Sequence, residues 1–478
     1  MIAVCLTNAN SLKMLGFLLF ARFAIFSYAA DDGILVYPTI LQGRATATNV
    51  ILRLNDAFTL NLTKSSVLAN ELLVATSSLK GNEIEKIETS ALRKSLYHDT
   101  RHQSSLIVRL RGGAAQIEGI INNKLRIKPV PEGKRSLQGE MLHMIYQVEE
   151  TKENVPNFVF ADKGRFGQIT PREGSNMENF VVEVHVISDS VHQKEFKTTE
   201  DLIAYFAVLL NGVNLRYVEM TAPRIEFMLV GITRSTDDIF ANHMQAGVLD
   251  MDKTLNGLFD YYKAGNVPGK PDVVHLITGQ DIARYENGAL DKDYSGIAKP
   301  GPPCTKLAVS LSEDVATAYR GVFIMAHELG HVLGSPHDET PKCPWSEGFL
   351  MSYEDGGVKK FRLSPCSEDK IRSSLKNMPG DCTQIVAHKD YMSRYKYVPG
   401  QKVSRQRYCR RLMKKYTTEK IFYTNTPELT QRCKMKCCFS LNKNVDNCLV
   451  VLILDGMKCS KEKTCRRGVC GKYTWPEL

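Results

Sequence analysis

Three histidines and a glutamate fall in one short run: His327-Glu328-Leu329-Gly330-His331-Val332-Leu333-Gly334-Ser335-Pro336-His337. On a helix, His327 and His331 stand one turn apart on one face, where both imidazoles can bind one metal ion. Glu328 lies beside them, placed to reach a water at the metal's open position. Gly334 ends the helix, because a residue without Cβ turns the chain at little steric cost. The turn brings His337 back as a third nitrogen ligand. Three histidines with one position left open describe a catalytic Zn²⁺ site, whereas a structural site fills all four positions. Glu328 would then take the proton of a water attacking a metal-polarised carbonyl and hand it to the leaving amine.

Such a site needs a buried helix and a sheet above it. Ile324, Met325, Leu329, Val332 and Leu333 supply the helix's apolar face. Gly330 costs about 1 kcal/mol against Ala in mid-helix, so a packing reason for it is expected. Upstream, residues 180–187 alternate as a strand that ends at Ser188-Asp189. Thr198 or Thr199 can cap a helix with Glu200 and Asp201 in its first turn. Leu202, Phe206, Leu209, Leu210 and Val213 make its buried stripe. Residues 224–232 and 272–278 read as strands, separated by a helical stretch over 248–262, and 306–310 as a short strand before the histidine helix. Strands alternating with helices predict an α/β fold with a mostly parallel sheet.

The run HExxHxxGxxH, followed by Phe349-Leu350-Met351-Ser352, resembles the metzincins, in which a methionine-bearing turn follows the third histidine. Asp338 after that histidine is similar to the reprolysin branch, which holds adamalysin, ADAM and ADAMTS enzymes. Arg362-Leu363-Ser364-Pro365-Cys366-Ser367 is similar to the ADAMTS side. The resemblance implies a metzincin-type catalytic domain, a mixed, mostly parallel sheet with an active-site helix, and zinc endopeptidase activity. It implies Met351 as an apolar floor to the site and Asp338 as a buried acceptor that fixes the turn. It implies the disulfides Cys304–Cys382 and Cys343–Cys366, where spacing alone leaves three pairings open. In resembling enzymes the strand matching 306–310 is an edge that pairs antiparallel with substrate. A Ca²⁺ site is also implied, with Glu183, Asp272 and the Cys382 carbonyl as ligands, although Ile385 stands where the pattern has Asn.

The 478 residues, 43% apolar, suffice for two to four domains. Residues 1–30 read as a signal peptide, with Lys13 ahead of an apolar run over 14–20 and small residues at 27–30. No later run is long and apolar enough for a transmembrane span. Residues 31–172 form a cysteine-free, β-rich region expected to be the propeptide of a zymogen. Without a cysteine there, a thiol switch on the zinc is excluded. Processing is expected near Arg165 or Arg172, with Lys134-Arg135 an alternative. The protease domain is assigned to 173–388 and a basic, disulfide-rich tail to 389–478.

Cysteine usage fits secretion. Of 13 cysteines, Cys5 falls in the signal region and the other 12 follow Pro303, a pattern suited to an oxidising, extracellular compartment. Asn61-Leu62-Thr63 is a glycosylation sequon. Residues 383–478 hold 21 Lys+Arg against 7 Asp+Glu, so the chain's net +10 arises entirely in the tail. Pro399-Gly400-Gln401 leading to Cys409, and Asp455-Gly456-Met457-Lys458-Cys459 through Cys470, resemble ADAMTS disintegrin-like and cysteine-rich modules. A zinc-knuckle nucleic-acid module would need regular CxxC pairs, and the tail has none. Sulfated glycans or anionic surfaces are the partners such a charge would select. A secreted, monomeric zinc endopeptidase acting on extracellular proteins is therefore expected. The compact domain set is similar to tick salivary reprolysins, which implies host matrix or clotting proteins as substrates. The alternative is a binding toxin acting through the basic tail.

Overall fold

The computed structural model describes residues 33–148, 178–376 and 399–473 with short breaks inside them, plus a few positions around Cys382. The expected signal peptide, Arg165, Arg172 and the start of the assigned protease domain lie outside the described residues.

The N-terminal region is built on a nine-stranded antiparallel sheet running from Ile34–Val36 to His143–Gln147. Alternation sets its core. In Thr59–Lys64, Leu60 and Leu62 are fully buried while Thr59, Asn61 and Thr63 face solvent. The sequon residue Asn61 is therefore exposed on a strand.

Two strands of this region, β1 (Leu68–Ser77) and β2 (Glu83–Glu88), leave that sheet and join the one that carries the histidine helix. The others follow in chain order: β3 (Asn179–Ser188), β4 (Arg224–Ser235), β5 (Val273–Thr278), β6 (Gly296–Ala298) and β7 (Val309–Glu313). The spatial order is β6-β7-β5-β3-β4-β1-β2. Neighbours from β7 to β1 run parallel, and β6 and β2 close the two ends antiparallel. The sheet is mixed and mostly parallel, with α1 (Thr199–Tyr217), α2 (Met251–Lys263) and α3 (Val322–Val332) packed on it.

Local chemistry accounts for these boundaries. Thr198 caps α1 by accepting from the Asp201 N–H at 3.1 Å. Asp250 caps α2, so helix begins at Met251, and 248–250, expected as helix, are strand. β3 alternates in sequence yet is buried on both faces, as a central parallel strand must be.

The short strand before α3 is placed differently from expectation. It spans Val309–Glu313, not 306–310, and it is interior, parallel to β5 on one side and antiparallel to β6 on the other. The terminal strand at that end is β6, where Ile297 pairs with Leu311. A three-residue strand leaves too little periodicity to be seen in sequence, so the neighbouring run reads as the edge.

All twelve cysteines after Cys5 are paired. Cys304–Cys382 and Cys343–Cys366 tie the α/β body. Cys409–Cys437, Cys433–Cys465, Cys438–Cys448 and Cys459–Cys470 staple the tail around a three-stranded antiparallel sheet.

Candidate active site

The helix α3 runs through His327, Glu328 and His331 and stops at Leu333. Gly334 takes φ +97°, and its N–H donates to the His331 carbonyl at 2.9 Å. A Cβ there would lie 2.5 Å from Ser374 Oγ on α4 (Pro365–Leu375), so the turn is glycine's for space as well as for angle. The chain then returns His337 to the helix. The three Nε2 atoms of His327, His331 and His337 lie 3.0–3.1 Å from one another. Nitrogens about 2 Å from one tetrahedral centre would be separated by slightly more than that, so the donor set fits one zinc ion.

The other ring nitrogen of each histidine is engaged. His327 Nδ1 lies 2.6 Å from the Leu350 carbonyl and His331 Nδ1 2.8 Å from the Ser335 carbonyl. Both must donate there, which leaves Nε2 as the lone-pair nitrogen. His337 Nδ1 lies 2.5 Å from Tyr353 Oη, whose own proton goes to Glu339 Oε1 at 2.6 Å. Burial pushes His327 down to about 3 and His331 to about 4, and it lowers His337 as well. The imidazoles are therefore neutral, as metal ligation requires.

Glu328 is 1% exposed, and its Oε2 has no hydrogen-bond partner. Burial raises its pKa well above the usual carboxylate range, and a dication beside it would favour the ionised form again. A buried carboxyl with one unpartnered oxygen, on the helix that carries two of three converging nitrogens, is a group arranged for a ligand to be added. The other oxygen lies over β6, where a Cβ on Gly296 would come within 2.7 Å of it.

Met351 is fully buried, and its sulfur lies against Gly330. A Cβ on Gly330 would sit 2.5 Å from that sulfur and 3.2 Å from Tyr217 Oη, which is the packing reason for a glycine in mid-helix. Gly330→Ala is expected to destabilise by about 1–2 kcal/mol in urea denaturation, because overpacking outweighs the helix-propensity gain. An unchanged midpoint would show that Met351 yields freely.

Asp338 is buried. Its N–H donates to the Met351 carbonyl at 2.9 Å, and its Oδ1 accepts from Ser364 Oγ at 2.6 Å and Ser367 Oγ at 2.9 Å. This carboxylate ties the third-histidine turn, the methionine turn and the start of α4 together. Cys343–Cys366 closes the same neighbourhood covalently.

Glu183 and Asp272 come together away from the histidines. The Glu183 N–H donates to Asp272 Oδ2 at 2.9 Å, beside the Cys304–Cys382 bridge. Burial raises Asp272 to about 8, against the Glu183 N–H bond, which lowers it, and with the Glu183 charge adding to the rise. Ile385 packs on the apolar core instead of offering an oxygen side chain. Of the remaining histidines, His143, His185, His192 and His275 are buried and His243 is exposed, while His388 lies outside the described residues.

Three residues of the site were not read from sequence: Gly296, Glu339 and Tyr353. Tyr353 lies two residues past Met351, and Glu339 directly follows Asp338, so sequence proximity was the available signal. Tyr353→Phe removes the hydroxyl between His337 and Glu339. Zinc affinity is expected to fall about 10- to 100-fold, the usual range for an outer-shell partner. Chelator competition would measure it, and an unchanged affinity would show that the hydroxyl does not orient His337.

Comparison with known proteins agrees with this geometry. Residues 180–385 match the reprolysin (M12B) family of zinc metalloproteases. The chain is 26% identical over 327 residues to venom metalloproteinase antarease TserMP_A of Tityus serrulatus, covering 63% of this chain and 82% of that protein. It is 25% identical over 380 residues to venom metalloproteinase BumaMPs1 of Olivierus martensii, covering 75% and 95%. It is 30% identical over 233 residues to a Bombyx mori protein described as a disintegrin and metalloproteinase with thrombospondin motifs like, covering 43% and 33%. The histidine helix and its return turn lie inside the family match, which makes residues 180–385 a reprolysin-family metzincin domain.

Proposed function

We propose that the protein is a secreted zinc endopeptidase that hydrolyses peptide bonds of extracellular proteins, with His327, His331 and His337 holding the metal and Glu328 as general base. The observation that carries this reading is the convergence of three Nε2 atoms at 3.0–3.1 Å beside a buried carboxyl with an unpartnered oxygen. A zinc ion held there supplies a Lewis acid that polarises a carbonyl and makes water nucleophilic near neutral pH. Glu328 takes the proton from the attacking water and returns it to the leaving amine. The carbonyls of Leu350 and Ser335 and the Tyr353 hydroxyl keep each imidazole aimed. Cleavage of a peptide library should vanish on chelation and return with added zinc; cleavage indifferent to chelator would overturn the reading.

Host matrix or clotting proteins are the substrate class proposed, on the resemblance of the domain set to tick salivary reprolysins. A calcium ion between Glu183 and Asp272 is the accompanying reading of that buried acid pair, which a calcium-dependent rise in thermal midpoint would support. The tail's charge favours sulfated glycans as a docking partner. Lys434, Arg432 and Lys306 lie close enough together that burial and mutual repulsion hold Lys434 near 8. Elution from heparin at no more salt than a tail-deleted protein needs would argue against this partner.

A further inference from the structure

The region read as a propeptide is part of the protease's own fold. β1 is the parallel neighbour of β4, in register from Leu73 with Gly231 to Ser77 with Ser235. The Leu229 N–H donates to the Val67 carbonyl at 2.7 Å, and Thr236 Oγ1 donates to the Ser77 carbonyl at 2.7 Å. Without β1, the outer edge of β4 from Leu229 to Ser235 would be bare, in a strand whose Phe227, Leu229 and Ile232 sit in the core. Val67, Leu68, Leu72, Val74, Leu96, Ile107 and Ile120 belong to the same apolar cluster as Phe206, Phe227 and Leu329.

The same region covers the face of α1 turned away from the sheet. Ser105 Oγ donates to the Val208 carbonyl at 2.7 Å. The Asn211 amide donates to Ser105 Oγ at 2.9 Å and accepts from Ser65 Oγ at 2.7 Å. Gly212 leaves room for Ile120 on one side and for Val322 of α3 on the other.

Arg126, 2% exposed, reaches furthest. Its Nε donates to the Ala318 carbonyl at 3.0 Å and its Nη2 to the Tyr319 carbonyl at 3.1 Å. These carbonyls sit in the loop that launches α3, where Thr317 and Tyr319 hold φ of 68° and 54°. Non-glycine residues keep such angles only where the surroundings over-determine them.

We propose that residues 34–148 are a permanent, non-covalently held subunit of the protease, not a cover that leaves on processing. A cut between Val148 and Asn179 then yields a two-chain enzyme. The N-terminal piece stays on β4 and α1, and Arg126 goes on clamping the loop before the histidine helix.

The test uses the full-length protein with a specific cleavage sequence placed in 149–177, cut to completion and diluted to about 10 nM. The two pieces should elute together on size exclusion, and the amides of 231–235 should keep the hydrogen-exchange protection they have in the uncut chain. Departure of the N-terminal piece at that concentration, whatever the remainder then does, overturns the proposal. Arg126→Met in the uncut chain tests the clamp separately. Exchange at 315–320 should speed by 10-fold or more while 231–235 is unchanged, and unaltered exchange at 315–320 would remove Arg126 from that role. Neither readout uses peptidase activity, so this proposal can fail while the zinc reading stands, and the reverse.

Discussion

Glu328→Gln should lower kcat/KM on a peptide substrate by roughly 10³-fold, within the range that a positioned general base contributes, while zinc content stays at one per chain. Gln has the same shape and cannot accept the proton. The three histidines do not depend on it, since their Nδ1 atoms are held by Leu350, Ser335 and Tyr353. Nor should stability drop, because burial already disfavours the charged form of Glu328 in the metal-free pocket. Peptide turnover and metal analysis on the same preparation decide the matter. A variant with full zinc and turnover within tenfold of the parent would mean that another group moves the proton.

Acid should weaken the sheet through two histidines buried inside it. His185 and His275 are completely buried, and burial pushes each down to about 3. His185 Nε2 is bonded to Thr233 Oγ1 at 2.8 Å, and His275 spans Ser310 and Ser312 Oγ at 2.7 and 2.9 Å. In the unfolded chain both titrate near the ordinary value of about 6.5. Between roughly pH 6.5 and 3 the unfolded state therefore binds protons that the native state refuses. Stability is fully present above pH 6.5 and falls as pH drops, at about 1.4 kcal/mol per pH unit for each histidine. From pH 6.5 to 5 the pair should cost about 4 kcal/mol in urea denaturation. His275→Gln should reduce the slope by about 1.4 kcal/mol per pH unit. An unchanged slope in the variant would rule out His275 as a source.

How much of this was legible in sequence follows from the range of each interaction. The histidine helix and its turn are local, so a spacing of four residues, a glycine and a returning histidine were enough to assemble the candidate site. The stripe on α1 was legible too, but only in part. Leu202, Phe206, Leu209 and Leu210 mark the face toward the sheet, while Val208 and Asn211 are buried by the N-terminal region and Tyr205 stacks on Tyr319 of the loop before α3. Nothing in the helix's own periodicity announces a second partner. The pairing of β1 with β4 joins segments more than 150 residues apart and leaves no local mark. β6 was missed for the opposite reason, being too short to have a period. Tyr353 and Glu339 are close in sequence to their target, yet their role depends on how two turns meet in space.

The four bridges of the tail have a consequence for how the molecule comes apart. Cysteines make up much of the tail's small apolar cluster, whereas the α/β body has dozens of aliphatic and aromatic side chains and only two bridges. A domain that small has little besides its cross-links to oppose chain entropy. Mild thiol treatment should therefore melt the C-terminal end first and leave the α/β body standing.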